Sequence, residues 1–383
     1  MKLAEEEWQC SMVVNKLARK TNLWTAKQNS LLSERGLKDA KKIICNWPEF
    51  GRSPLISLDD FSRALNVSDV FYKDEGSRFG INTFKVLGGA YAVFKYLDAS
   101  ASDMNELAAK TTFVSATDGN HGRSVAWGTQ KAGSNCVIVL PSDVSDGRRN
   151  SLIALGAKVI TNPGTFDDCV RQAAALANEN AWIEVSDTAY EGGGAIPADV
   201  MQGYEVATEE AAEQLTLPPT HVFIQAGVGG FAASVTAFLK RKFGPNRPTI
   251  ILVEPSSASC CYDSIERNTP TKSQGSLSTL MGGLACGEVS SFAWEILKEH
   301  ADAAVKISDV NVVKTMKLLA QPNQCRRKIV AGESAVAGLI GAMSTASNTG
   351  LRDVLKIGED SRILVYGTEA DTDPQLYKKL IDG

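Results

Sequence analysis

Residues 222–255 read VFIQAGVGGFAASVTAFLKRKFGPNRPTIILVEP. Two continuous apolar runs, 222–225 and 249–253, flank a stretch at 231–243 with helical spacing of its apolar positions. An apolar strand, a glycine-rich turn, a helix and a second apolar strand are what a parallel sheet covered on both faces requires. The same alternation continues outward. Strands are predicted at 70–73, 112–116, 136–140, 158–161, 182–185 and 362–366, and helices at 84–97, 120–131, 147–155 and 166–178. The expected class is therefore α/β, doubly wound, with largely parallel sheets. Residues 1–50 read as a mostly helical, polar lead-in ending near Pro48. A chain of 383 residues exceeds the usual domain of roughly 100–200 residues, so two domains are expected.

Composition removes several functions. Forty lysines and arginines against 44 aspartates and glutamates leave a net charge of −4 and no long basic run. Nucleic acid is therefore not an expected partner. The three histidines, His121, His221 and His300, are far apart and form no ligand spacing, so no metal site is expected. Eight cysteines include no CxxC pair. The start, Met1-Lys2-Leu3-Ala4-Glu5-Glu6-Glu7, lacks the apolar core of a signal peptide, and no apolar run is long enough to span a bilayer. A cytoplasmic protein with reduced thiols and no membrane partner is expected, a disulfide in the 260–286 region being the less favoured alternative.

In doubly wound folds ligands gather where strands end and helices begin, so the loops there carry the functional reading. Gly227-Val228-Gly229-Gly230 reads as a phosphate cradle, because successive glycines let amide N–H groups approach an anion at a helix N-terminus. The stretch 227–232 also satisfies G-x-G-x-x-A, with Glu254 ending the next strand, and on its own supports an NAD-dependent oxidoreductase. That fingerprint normally opens its domain, whereas here it follows more than 220 residues. Lys85, flanked by Phe84 and Val86, is expected in an apolar setting that lowers its pKa and frees the amine to attack a carbonyl. Thr117-Asp118-Gly119-Asn120-His121-Gly122 opens a helix; Asn120 fits a cap, but a cap explains one residue of a polar cluster. Asp187, in Ser186-Asp187-Thr188-Ala189-Tyr190, reads as a turn residue or as the second of two acid/base aspartates with Asp118.

Together these loops resemble the fold type II pyridoxal-phosphate enzymes of the tryptophan synthase β-subunit type. The aromatic-lysine pair Phe84-Lys85, the loop 117–121 and the glycine loop 227–230 occur in the order of that family. Within it, the chain resembles the diaminopropionate ammonia-lyase family over residues 50–375. The shared stretches include Lys73-Asp74-Glu75, Leu87-Gly88-Gly89-Ala90-Tyr91, Met201-Gln202-Gly203-Tyr204 and Thr368-Glu369. Asp118 before Gly-Asn-His is the most specific of these features. The chain departs from the pattern at Gly76-Ser77, Tyr190, Gly193-Gly194 and 324–327.

The resemblance implies pyridoxal 5'-phosphate in a cleft between two domains, held as a Schiff base on Lys85. It implies cofactor contacts from Phe84, Asn120, residues 227–230 and Thr368, the last facing the ring nitrogen. Substrate would meet Thr117, Asp118, Gly119, His121, Asp187 and Tyr190. The implied reaction is α,β-elimination of D- or L-2,3-diaminopropionate to pyruvate and ammonia, with Asp187 or Asp118 taking the α-proton according to handedness. A dehydratase of a 3-hydroxy amino acid is the alternative. Residues 88–195 would form the small mobile domain and 1–87 with 196–383 the large one, in a homodimer.

Overall fold

The computed structural model describes residues 7–100, 103–117, 119–142, 144–189, 194–321 and 327–383. Eleven strands are found among them: β1 (Cys10–Val14), β2 (Leu55–Ser57), β3 (Asp69–Asp74), β4 (Thr112–Ala116), β5 (Asn135–Pro141), β6 (Lys158–Asn162), β7 (Ile183–Glu184), β8 (His221–Gln225), β9 (Thr249–Pro255), β10 (Ala303–Ile307) and β11 (Arg362–Gly367). They form two sheets. The larger has the order β1-β10-β9-β8-β11-β3-β2 and the smaller β6-β5-β4-β7. All pairings are parallel except those of the two edge strands, β1 with β10 and β2 with β3.

The fully apolar runs became the sheet centres. All five residues of β8 are buried, as are the last six of β9 and five of six in β11. Helices on both faces remove these strands from water, which explains the lack of polar alternation in them. The lead-in is less helical than expected, because β1 lies inside it. That strand alternates exposed and half-buried positions on an antiparallel edge, too short a pattern to separate from loop. β10, Ala-Ala-Val-Lys-Ile, was also not expected; alanine and lysine carry little strand preference.

Every candidate loop lies at the carboxyl end of a parallel strand. Residues 117–121 follow β4, Asp187 follows β7, the glycine loop follows β8 and Thr368 follows β11. The path from β3 to Lys85 is pinned by a buried ionic cluster. Arg78 pairs with Glu75 (2.8 Å) and with Glu210 (2.7 Å), and Lys73 donates to the same Glu210 oxygen (3.0 Å). Glu210 belongs to the helix Ile196–Gln214, so this cluster ties the turn that delivers Lys85 to a neighbouring element.

Candidate active site

Lys85 immediately precedes the helix Val86–Ser100. Its position is set by backbone contacts to the end of β11: Thr83 bridges Glu369, and the Phe84 N–H donates to the Thr368 carbonyl at 3.0 Å. The Phe84 ring packs on Phe231 (4.2 Å between centroids) and Tyr204 (4.8 Å), making an aromatic floor. The Lys85 ammonium stands 5.7 Å from the Phe84 centroid and ion-pairs with Asp187. His121 Nδ1 lies 3.9 Å from the same Asp187 oxygen, while its Nε2 meets the Val185 carbonyl at 3.0 Å.

These contacts correct one expectation. Burial does act to lower the Lys85 pKa, but the Asp187 carboxylate outweighs it and raises the lysine above its usual range. In turn Asp187 is held below the ordinary carboxylate range: Lys85 and then His121 overcome the opposing effect of burial. The amine is therefore one partner of a half-buried ion pair, its proton on Nζ and Asp187 ionised.

The loop after β4 is braced by Thr117, whose hydroxyl accepts from the Gly119 N–H (3.0 Å) and the Gly122 N–H (3.2 Å). Asn120 is not the cap: Gly119 occupies that position, and the Asn120 amide donates to Glu369. The Gly119 and Gly122 N–H groups of this helix N-terminus are thereby committed to Thr117. Asp118 and Tyr190 lie outside the described residues.

The glycine loop has the form of an anion cradle. Gly229 is left-handed (φ 90°, ψ −7°), which turns the chain into the helix Gly230–Phe243. A Cβ at Gly227 would stand 2.9 Å from Cys286 Sγ, so only glycine lets this loop lie against the wall at 282–286. Val228 anchors the loop from behind, its carbonyl accepting from the Ser290 N–H at 2.9 Å. At the other end, Gln225 Nε2 donates to the Thr368 hydroxyl at 3.0 Å. That hydroxyl, accepting from Gln225, keeps its own proton to donate within the cavity it lines.

A cavity of about 650 Å³ joins Lys85, Asp187, residues 119–121, 227–230 and Thr368. Its volume, the cradle that a Cβ would fill, the lysine and the Thr368 donor fit a phosphorylated pyridine aldehyde. The oxidoreductase reading fails at Glu254. That carboxylate is buried, accepting from the Cys261 N–H (3.0 Å) and the Tyr262 N–H (2.6 Å), and burial pushes its pKa up to about 8. It cannot face a ribose. Cys260, Cys261 and Cys286 are free thiols.

Four contributors were not assigned roles from sequence: Tyr204, Gln225, Glu369 and Arg148. Glu369 accepts from Asn120 and from the Ser334 N–H (3.1 Å), joining β11 to the loop after β4. Arg148 lies between the two walls, since a Cβ at Gly119 or Gly282 would meet it at 3.8 or 3.7 Å. Tyr204, Gln225 and Glu369 fall in or beside stretches shared with the family, whereas nothing in the sequence signalled Arg148.

Residues 47–368 match the family model described as pyridoxal-phosphate dependent enzyme. The chain is 36% identical over 368 residues to diaminopropionate ammonia-lyase of Escherichia coli (strain K12), covering 92% of each chain. It is 36% identical over 358 residues to that of Salmonella typhimurium, covering 87% of this chain and 89% of the relative. Among solved structures, it is similar to the Escherichia coli lyase in complex with an aminoacrylate-PLP azomethine reaction intermediate. The TM-score there is 0.89 at 34% identity, over 98% of this chain and 97% of that one.

Proposed function

The chain belongs to the pyridoxal-phosphate-dependent enzymes, in the diaminopropionate ammonia-lyase family, and from that premise we propose that it eliminates ammonia from 2,3-diaminopropionate to give aminoacrylate, which water hydrolyses to pyruvate and a second ammonia. The observation that carries this reading is the Lys85–Asp187 ion pair facing the glycine cradle across one cavity. Bound there, pyridoxal phosphate supplies the carbonyl that captures an amine and the ring that takes up the electron pair of the broken C–H bond.

The residues of the chain then divide the remaining work. The amides of 227–230 would hold the phosphate, and Phe84, Asn120 and Thr368, which line the same cavity, would hold the ring, Thr368 as the hydrogen-bond partner of its nitrogen. Thr117, Gly119 and His121 seat the substrate carboxylate at the helix N-terminus. Asp187 takes the α-proton of one enantiomer and Asp118 that of the other, with Tyr190 beside the departing group. His121 does not act as a base: its role is to keep Asp187 ionised from behind. Lys85, when not holding the cofactor, would stand beside Asp187 and help with the α-proton, and the β-amino group would leave as ammonia once protonated.

We further propose that residues 88–195 form a small domain that moves over the cleft against 1–87 and 196–383. Its support is a four-stranded sheet built wholly from 112–184 with an apolar cluster of its own, Val114, Val137, Val139, Cys169 and Ala173. A homodimer in the cytoplasm completes the proposal. The free thiols fit a reducing compartment, and no helix among the described residues is long and apolar enough to cross a membrane.

The test is direct. The purified protein should carry a visible band that borohydride bleaches and that Lys85→Ala lacks. Pyruvate release from D- and L-diaminopropionate should exceed that from L-serine, L-threonine and hydroxyaspartate. Turnover confined to the hydroxy amino acids would make the enzyme a dehydratase, and a colourless protein would overturn the cofactor assignment.

A further inference from the structure

The far end of the cradle helix carries a second cavity. The helix Gly230–Phe243 spans 14 residues, about 20 Å at 1.5 Å per residue. At its C-terminal end a pocket of about 760 Å³ shares no lining residue with the catalytic cleft. Four cations line it, Arg35, Lys38, Lys240 and Arg241, against two acids, Glu34 and Asp39.

The wall of this pocket is rich in donors that have nothing to donate to. Lys240 is 2% exposed, and its Nζ has no hydrogen-bond partner. The Trp24 indole N–H and Arg241 Nε are buried and equally unmatched. Arg241 is already committed through Nη2 to Glu205 (2.8 Å), and its guanidinium lies over the Trp24 ring at 5.6 Å. Behind them His300 stacks on Trp24 at 5.5 Å. Cations in the last turn of a helix suit its dipole, which accounts for the exposed Lys242. It does not account for Lys240, turned inward away from both water and carbonyl oxygen. Buried donors without acceptors are rare and costly, and three of them converging on one cationic pocket ask for an acceptor from outside.

We propose that this pocket is a second ligand site, separate from the catalytic cleft, which takes a compact oxyanion (a phosphate or carboxylate group) on Lys240, Arg241 and the Trp24 indole N–H. Lys240 lines the pocket, and its unpartnered Nζ is the donor that an anion there would take. Association forms hydrogen bonds and an ion pair only.

The chain has three histidines, so ring signals of His121, His221 and His300 can be followed separately by NMR. Burial, then Arg247 and Lys240, hold His300 down at about pKa 4. An anion beside Lys240 offsets that positive charge and raises it. The holoenzyme, its cradle filled, is titrated with inorganic phosphate and separately with acetate, against chloride at matched ionic strength. Saturable movement of the His300 signal is expected. Lys240→Met should weaken it at least about tenfold with the cofactor band unchanged, while Lys240→Arg retains it and shows that the fold tolerates substitution. A response to one anion alone assigns its chemistry. No saturable response to either anion, or an undiminished response in Lys240→Met, overturns the proposal; the latter would place the anion away from Lys240.

Discussion

Gly229→Ala should separate a true anion cradle from an ordinary tight turn. Gly229 has φ 90° and ψ −7°, and forcing an alanine into the left-handed region costs roughly 1–2 kcal/mol. The new methyl would also lie 3.1 Å from both Ala293 Cβ and Leu297 Cδ1 and 3.4 Å from Cys261 Sγ. Those neighbours belong to packed helices that cannot withdraw cheaply, and overpacking of this kind costs about 1–3 kcal/mol. The total, about 2–5 kcal/mol, must surface somewhere. If the loop keeps its shape, the apoprotein loses that stability. If the loop relaxes, its amides leave the phosphate, and at about 1.4 kcal/mol per factor of ten the cofactor dissociation constant rises roughly 30- to 3,000-fold. Titrating apoprotein with pyridoxal phosphate by absorbance, together with a denaturant melt of the apoprotein, measures both shares. Gly51→Ala is the control, since a Cβ there meets nothing within 4 Å. A combined loss below about 1 kcal/mol in Gly229→Ala would refute the reasoning.

Three other expectations follow from the same geometry. Asp187→Asn keeps the shape but removes the charge that holds Lys85 protonated, so the cofactor band should persist while pyruvate release from one enantiomer falls about 10²–10⁴-fold; equal rates on both enantiomers would count against the assignment. Arg78→Met strands Glu75 as a buried carboxylate, leaves Glu210 to Lys73 alone, and should cost about 3–5 kcal/mol in a urea melt with unchanged slope, a smaller loss than about 1 kcal/mol showing that the cluster does not hold the turn. His300, depressed from 6.5 to about 4, contributes stability that is complete above pH 6.5 and lost as pH falls toward 4, roughly 3 kcal/mol in all. His300→Phe should flatten that acid limb, and an unchanged limb would mean that other groups set it.

Legibility in the sequence followed the range of the interaction involved. β8, β9 and β11 were readable because burial on both faces makes each strand a continuous apolar run, a property of five or six adjacent residues. β1 was not, because it is a strand only through pairing with residues some 290 apart, Val13 opposite Ala304 for example, and β10 was not, because its Ala-Ala-Val-Lys-Ile carries little strand preference of its own. The site divided in the same way. Glycines at 227–230 and an aromatic-lysine pair announce themselves locally, whereas Glu369 acquires its importance only when Asn120, 249 positions earlier, donates to it. The misjudged lysine pKa is the clearest case. Apolar neighbours at 84, 86 and 87 are visible in the sequence and act in the expected direction, but the carboxylate that reverses the outcome lies 102 positions away.

That distance also bears on mechanism. Asp187 and the loop 117–121 hang from the smaller sheet, while the glycine cradle and Thr368 hang from the larger. An ion pair falls off with separation and with access of water, so the Lys85–Asp187 contact is strong only while the two sheets hold their present spacing. Opening the cleft by a few ångströms would admit water between them. Burial would then no longer act on Lys85, and neither would Asp187, leaving the amine near its ordinary value and the aspartate without its proton partner. The domain movement proposed above would reverse this on closure, excluding water and leaving the Asp187 carboxylate to receive the α-proton. In this reading the base is assembled by the same movement that shuts the site, so proton abstraction cannot precede substrate capture.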